Sequence, residues 1–232
     1  MLGRPAMNAE SPHRLRCEYL KNPIGIDIRK PRLSWELRDP RRGAQQSAFR
    51  IQVSSSSAAL HSGAADVWDS GKVDSAESVH LVYGGPELQA RLRYFWRVCT
   101  WDTQGEPSSW SESAFWEMGI LSREDWKAEF IGSSTVGGRN TTVPVPFFRK
   151  VFTLSKPVAS ARAYVTALGL YELHLNGEII GDQVFAPGWT DYRRRVTYQV
   201  YDITDRLRTG PNAIGAILGD GWYSGYVGWL AR

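Results

Sequence analysis

The sequence predicts an all-β protein that consists of two β-sandwiches in tandem. Short runs of β-branched and aromatic residues are separated by Gly, Pro, Asn or Asp at intervals of roughly 10 residues, a pattern typical of sandwiches. Runs with a helical period are rare. The 232 residues include ten tryptophans, and such large side chains commonly fill sandwich cores. This length accommodates two domains of about 100 to 130 residues each.

Alternating strands in the first half predict the first sandwich. Residues 47–54 place Phe49, Ile51 and Val53 on one face, and Arg50 and Gln52 on the other. Residues 92–100 alternate in the same way, and residues 31–37 contain a further strand. Apolar and basic side chains on opposite faces mark these strands. They are Trp35 on the early strand, Leu92, Tyr94, Trp96 and Val98 on the later one, and Arg91, Arg93 and Arg97 on its opposite face. This arrangement resembles a fibronectin type III domain, and we place the domain at residues 13–120.

A linker at residues 121–145 is predicted to separate the two domains. It begins with Ser122 and Asp125, which favour a short helical turn, and continues into a flexible stretch rich in glycine and serine at residues 132–138. The second domain, at residues 146–232, is predicted to be a jelly-roll-like sandwich. Its strands lie at residues 147–154, 161–168 (mostly buried), 171–175, 178–180 and 213–218, and a helical turn lies at 202–207. Asn176 and Gly177 predict a type I′ hairpin turn.

Composition and charge argue against several classes of protein. The formal net charge is +4, but the excess of arginine in the first 50 residues is scattered, whereas nucleic-acid binders cluster it on one face. No apolar run is long enough to span a membrane. The first ten residues contain no apolar signal region, which predicts a cytoplasmic location. Cys17 and Cys99 are therefore expected to be free thiols.

The residue pattern predicts neither a cofactor nor a catalytic centre. The four histidines are far apart and lack metal-ligand spacing, and no phosphate-binding glycine motif or nucleophile elbow is present. Glycoside hydrolysis would need two facing carboxylates. The candidates are Asp66 with Asp69, Glu124 with Asp125, Asp202 with Asp205, and Asp220. Most of them lie in turns, where aspartates usually cap backbone amides. We therefore assign no catalytic residue and no metal.

Two glycine-rich aromatic loops, at residues 187–192 and 219–225, are the candidate binding site. Each combines an aromatic side chain, which can stack on the C–H face of a sugar, with a carboxylate that accepts hydrogen bonds from hydroxyls. The alternative is that Trp189 and Trp222 are buried in the sandwich or at an interdomain face. The candidate substrate-binding residues are Trp189, Asp191, Tyr192, Asp220, Trp222 and Tyr223.

The order of motifs along the chain resembles the N-terminal part of bacterial α-L-rhamnosidases of glycoside hydrolase family 78. The matching stretches are residues 22–26, 31–35, 68–71, 94–98, 101–102, 117–119, 126, 167–171, 175–177, 186–192, 198–205 and 219–223. The resemblance implies a fibronectin-like domain, a β-sandwich linked to carbohydrate recognition, and rhamnose-containing glycosides as partners. It also implies that inverting hydrolysis occurs in an (α/α)₆ barrel. We expect this chain to be truncated before that barrel, and hence inactive alone.

Three functions are open at this point: a recognition region of an α-L-rhamnosidase, a stand-alone carbohydrate-binding module, and a structural spacer. Because the relatives continue beyond residue 229, we expect the second sandwich to be incomplete at its C-terminal end. The strand at residues 213–218 is apolar on both faces. Left at an open edge, with Trp222 and Trp229 poorly covered, this strand would favour self-association.

Overall fold

The computed structural model describes residues 10–135 and 143–225. The chain divides into two compact units, Met1–Trp126 and Lys127–Arg232. Nearly all regular structure is β, which confirms the predicted fold class. The predicted boundaries at 120 and 146 remain predictions. Within the described ranges, no helix is long and apolar enough to cross a membrane.

The first unit is a sandwich of two sheets with one short helix, α1 (Ser57–His61), and a 3₁₀ turn at Arg123–Asp125. One sheet has the order β1-β3-β7, and the other β2-β9-β8-β4-β5, with β6 also paired to β4. The strands are β1 (His13–Cys17), β2 (Ile24–Ile26), β3 (Arg32–Glu36), β4 (Gln46–Ser54), β5 (Trp68–Asp69), β6 (Val73–Asp74), β7 (Leu81–Val82), β8 (Arg93–Asp102) and β9 (Ala114–Met118).

Alternation along β4 and β8 builds the core of this unit, as predicted. Ile51 and Val53 on β4 are buried against Trp96 and Val98 on β8, and Trp35 on β3 joins them from the opposite sheet. Pairing of β4 with β8 is antiparallel. The predicted helical turn after Ser122 is also confirmed as a capped 3₁₀ turn.

The second unit contains a four-stranded sheet with the order β10-β15-β12-β13 and a two-stranded sheet, β11-β14. A short 3₁₀ turn at Thr204–Arg206 confirms the predicted helical turn. The remaining elements are β10 (Phe147–Leu154), β11 (Arg162–Val165), β12 (Leu170–Leu175), β13 (Glu178–Ile179), β14 (Gln199–Asp202), β15 (Gly210–Gly219) and α2 (Gly221–Ser224).

The hairpin between β12 and β13 confirms the turn prediction, because Asn176 and Gly177 both have positive φ, 54° and 91°. The core of the unit lies on one face of the four-stranded sheet, where Tyr171, Leu173 and Leu175 are buried.

Two predictions about the second unit are wrong. The strand at residues 213–218 does not lie at an edge, because β15 pairs with β10 along residues 210–217 and with β12 along residues 214–219. The segment 161–168 is mostly half-buried rather than buried, because only Ala167 within it is fully covered. Trp229, which we expected to be poorly covered, lies outside the described residues.

Candidate functional site

The two aromatic loops converge in the structure. The indole rings of Trp189 and Trp222 are stacked, with centroids 6.2 Å apart and planes inclined by 13°. Phe185 meets the Trp222 ring edge-on at 6.0 Å. Tyr192 and Tyr223 form a second pair across the same two loops, edge-to-face at 5.4 Å. The sequence predicted four of these five rings, and Phe185 is an addition that the sequence reasoning missed.

Exposure shows whether the aromatic rings of these loops are buried within the sandwich. Trp189 is 70% exposed and Phe185 is 64% exposed, so burial within the sandwich is excluded for both. Trp222 is half-buried beneath the Trp189 ring. A flat aromatic surface is thus open to solvent and supported from below by a second indole.

Glycines allow the Trp222 segment to pack tightly against the start of β12. Gly169 has φ +104°, and a Cβ atom at this position would lie 2.3 Å from the carbonyl oxygen of Gly219. Gly221 has φ +51°, and its Cβ would lie 2.7 Å from the side chain of Leu170. Side chains at either glycine would push the two segments apart. The small residues therefore set the position of Trp222.

Backbone hydrogen bonds hold the other loop against the same unit. The amide of Tyr171 donates to the carbonyl oxygen of Ala186 at 2.9 Å. The Thr197 hydroxyl donates to the carbonyl oxygen of Pro187 at 2.8 Å, and the bond between Ala186 and Pro187 is cis. Trp189 thus projects from a loop that is fixed just before it.

Both candidate carboxylates are exposed and partly engaged in local turns. The Asp191 carboxylate accepts a bond from the amide of Arg193 at 3.2 Å and lies 3.7 Å from Nε of Arg194. One oxygen of Asp220, which directly precedes α2, accepts from the Ser224 hydroxyl at 3.1 Å. The turn role expected for aspartates therefore applies to both. Each carboxylate is exposed and keeps lone pairs that a ligand hydroxyl can reach.

The sequence reasoning also missed the three consecutive arginines at 193–195, which directly follow Tyr192 and are all exposed. The run itself was the signal that could have identified them.

The Tyr192 hydroxyl is buried and has no hydrogen-bond partner within the described ranges. A cavity of about 490 Å³ lies at the start of β1 in the first unit. Arg14 on its wall is already paired with Glu36 at 3.1 Å, and the described residues that line the cavity include no Phe, Tyr or Trp, so we favour the aromatic loops.

Two family models match the chain. Residues 12–122 match the "Rha78A-like, N-terminal immunoglobulin domain", and residues 156–232 match the "Alpha-L-rhamnosidase N-terminal domain". An α-L-rhamnosidase from Formosa agariphila is 40% identical over 227 residues, which are 95% of this chain and 24% of the relative. An α-L-rhamnosidase from Alteromonas sp. is 39% identical over 217 residues, which are 90% of this chain and 24% of the relative.

Solved structures give the same result. The α-L-rhamnosidase from Dictyoglumus thermophilum superposes with a TM-score of 0.87 at 42% identity, over 94% of this chain and 26% of the other. The Streptomyces avermitilis enzyme, solved in complex with L-rhamnose, gives a TM-score of 0.87 at 26% identity, over 96% of this chain and 38% of the other. The chain therefore spans about a quarter to a little over a third of the length of these relatives.

Proposed function

The chain carries the paired N-terminal domains of the α-L-rhamnosidases, and from this premise we propose that it recognises saccharide for such an enzyme without itself performing the hydrolysis. The target is a glycoside with terminal α-L-rhamnosyl linkages. The stacked pair of Trp189 and Trp222, with Trp189 open to solvent, is the observation that supports this proposal.

An exposed indole with a second indole beneath it suits the apolar face of a sugar ring. The lower ring keeps the upper one in a single orientation, so little conformational freedom is lost when a ligand binds. The carboxylates of Asp191 and Asp220 lie in the same two loops, and each can accept a hydrogen bond from a ligand hydroxyl. Charge-assisted bonds of this kind are stronger than neutral ones.

Hydrolysis is assigned to the part of an α-L-rhamnosidase that this chain does not match. An inverting reaction needs an acid and a base separated by about 6.5 to 9.5 Å across the scissile bond. Asp191 and Asp220 are exposed turn residues bonded to the Arg193 amide and the Ser224 hydroxyl, and we assign them to ligand binding rather than to acid–base catalysis.

Calorimetric or NMR titration of the full chain with L-rhamnose tests this function. A shallow site for one sugar contacts few atoms, so we expect a dissociation constant in the millimolar range, about −4 kcal/mol. Trp189→Ala and Trp222→Ala should abolish binding. Trp110→Ala in the first unit, where the indole lies under Arg97, is the matched control and should retain it.

Circular dichroism of each variant shows whether it is folded. Binding that survives Trp189→Ala in a folded protein would contradict the site. An absence of binding by the unmodified chain would favour the structural-spacer function over recognition.

A further inference from the structure

The arginine turn at residues 193–195 carries more positive charge than its surroundings neutralise. Across residues 187–195 there are three arginines and one aspartate. Arg194 lies 3.7 Å from the Asp191 carboxylate. Within residues 10–135 and 143–225, no carboxylate lies within 4 Å of the guanidinium of Arg193 or of Arg195. Two exposed guanidinium groups are therefore available to an external anion.

The backbone keeps this turn next to the aromatic surface. The amides of Arg194 and Arg195 both donate to the carbonyl oxygen of Asp191, at 2.8 and 2.9 Å. The Thr190 hydroxyl closes the turn by donating to the carbonyl oxygen of Arg195. Because Thr190 follows Trp189 directly, the turn folds back onto the residue beside the open indole. The residue that carries the open indole and the three arginines thus belong to one hydrogen-bonded segment of the chain.

Guanidinium groups suit a carboxylate better than a hydroxyl. The planar fork of an arginine pairs with both oxygens of a carboxylate, and the adjacent positive charges repel each other less when an anion lies between them. A neutral monosaccharide offers only hydroxyls and would leave this charge unused. We propose that the ligand of this site is an acidic saccharide, in which a ring stacks on Trp189 and a uronate carboxylate pairs with Arg193 and Arg195.

This inference rests on the proposed function, because it names the class of sugar bound at the same site. A saccharide is favoured over a nucleic acid because Asp191 and Asp220 lie in the same two loops, where they can accept hydrogen bonds from the several hydroxyls that each sugar ring carries.

Titration of the full chain with two matched trisaccharides tests the inference. One is α-1,4-linked galacturonic acid trimer, and the other is its fully methyl-esterified form, which has the same ring skeleton and no charge. We expect the acid to bind about five to ten times more tightly than the ester at low salt, a range consistent with one or two exposed ion pairs. The preference should shrink in 0.5 M sodium chloride.

Charge-neutralising variants test whether Arg193 and Arg195 cause the preference for the acid. The double variant R193Q/R195Q should bind acid and ester equally. The control R149Q/R208Q removes the same charge from exposed positions of the same unit and should keep the preference. Arg208 lies before the ten-residue strand β15 and Asp220 after it, so the two are about 30 Å apart along the chain.

The outcomes distinguish a failure of the acidic-ligand inference from a failure of the proposed sugar recognition. Equal binding of acid and ester, each lost in Trp189→Ala, would overturn the acidic ligand and leave sugar recognition intact. Acid binding that needs the arginines but not Trp189 would show that the arginines and the indole do not form one site. Binding of neither trimer would also overturn the inference. Tighter binding of a thymidine oligonucleotide than of the acid trimer would replace the saccharide with a nucleic acid.

Discussion

At the scale of single residues, the pairing of Arg50 with Asp69 shows how the first unit uses a carboxylate that the sequence offered as a catalytic candidate. Nε and Nη2 of Arg50 donate to the two carboxylate oxygens at 2.9 and 2.6 Å. Gln52 and the amide of Gly71 add bonds of 3.0 Å. Arg50 is the main cause that lowers the pKa of Asp69 to about 2. The Asp69 carboxylate therefore stabilises the pairing of β4 with β5.

The pH dependence of stability follows from this pKa. The folded-state pKa of Asp69, about 2, lies below the usual value of about 3.9 in an unfolded chain. Its contribution is therefore complete above about pH 5 and is lost as the pH falls toward 2. Asp69→Asn should reduce the free energy of unfolding of the first unit at pH 7 by about 1 kcal/mol, a value discounted because the pair is partly open to solvent.

Urea unfolding at pH 7 and pH 3, followed through NMR signals of the first unit, measures this effect. The difference between Asp69→Asn and the unmodified chain should narrow at pH 3. Asp74→Asn, at an exposed carboxylate on the neighbouring β6, is the control and should change little at either pH. A constant difference at both values would show that the ion pair does not account for the loss.

At the scale of secondary-structure elements, features set by adjacent residues could be predicted from the sequence, whereas the pairing of distant strands could not. The hairpin at Asn176 could be read from two adjacent residues, because both must adopt positive φ. The apolar pattern of β15 correctly indicated a central strand, but its neighbours β10 and β12 are separated from it by 35 residues or more, so the pattern could not identify them. We therefore placed the strand at an edge.

For the candidate site too, local composition was predictive and long-range packing was not. Composition alone identified each aromatic loop, because glycine, a carboxylate and exposed-looking aromatics occur together in both. The stacking of Trp189 on Trp222 was not predictable, since it depends on how the start of β12 packs against the end of β15. Arg193 and Arg195 were not predicted because the overall excess of arginine lies in the first 50 residues and does not reveal a local run beside the loops.

Gly169 provides the prediction at the scale of elements. Alanine there would combine a strained φ of +104° with a Cβ atom 2.3 Å from the Gly219 carbonyl oxygen. Gly169→Ala should therefore destabilise the second unit by about 2 to 3 kcal/mol and displace Trp222, which weakens sugar binding. Gly177→Ala, where φ is +91° but nothing lies within 4 Å, should cost about 1 kcal/mol and leave binding unchanged.

Thermal unfolding and the rhamnose titration, applied to both glycine variants, measure these two effects. Equal losses of stability would show that backbone strain alone matters at both positions. Unchanged binding in Gly169→Ala would show that contact with Gly219 does not position the Trp222 segment.

At the scale of the whole molecule, the two units differ in how much apolar surface they bury. The described core of the first unit has sixteen buried side chains, among them Trp96, Trp116 and Leu33, whereas that of the second has seven. Since the free energy gained on folding grows with the apolar area buried, the second unit should be the less stable. Hydrogen exchange measured by mass spectrometry should show weaker protection in residues 143–225 than in residues 10–126.

The opposite face of the four-stranded sheet provides the last prediction, self-association of the chain. Phe147 on β10 is 72% exposed and pairs with Ile217 on β15, and Val151 is half-exposed beside Ala213. Phe147, Ala213 and Ile217 line an apolar cavity of about 300 Å³. A patch of this kind favours association with a second copy, while β10 also offers an outer strand edge. Self-association is thus expected through this face, not through an edge formed by β15.

Light scattering across a concentration series should detect dimers or larger species, and Phe147→Lys should reduce them. Val79→Lys, at an exposed apolar residue of the first unit, should not. A monodisperse monomer at every concentration would show that the open face does not recruit a second chain.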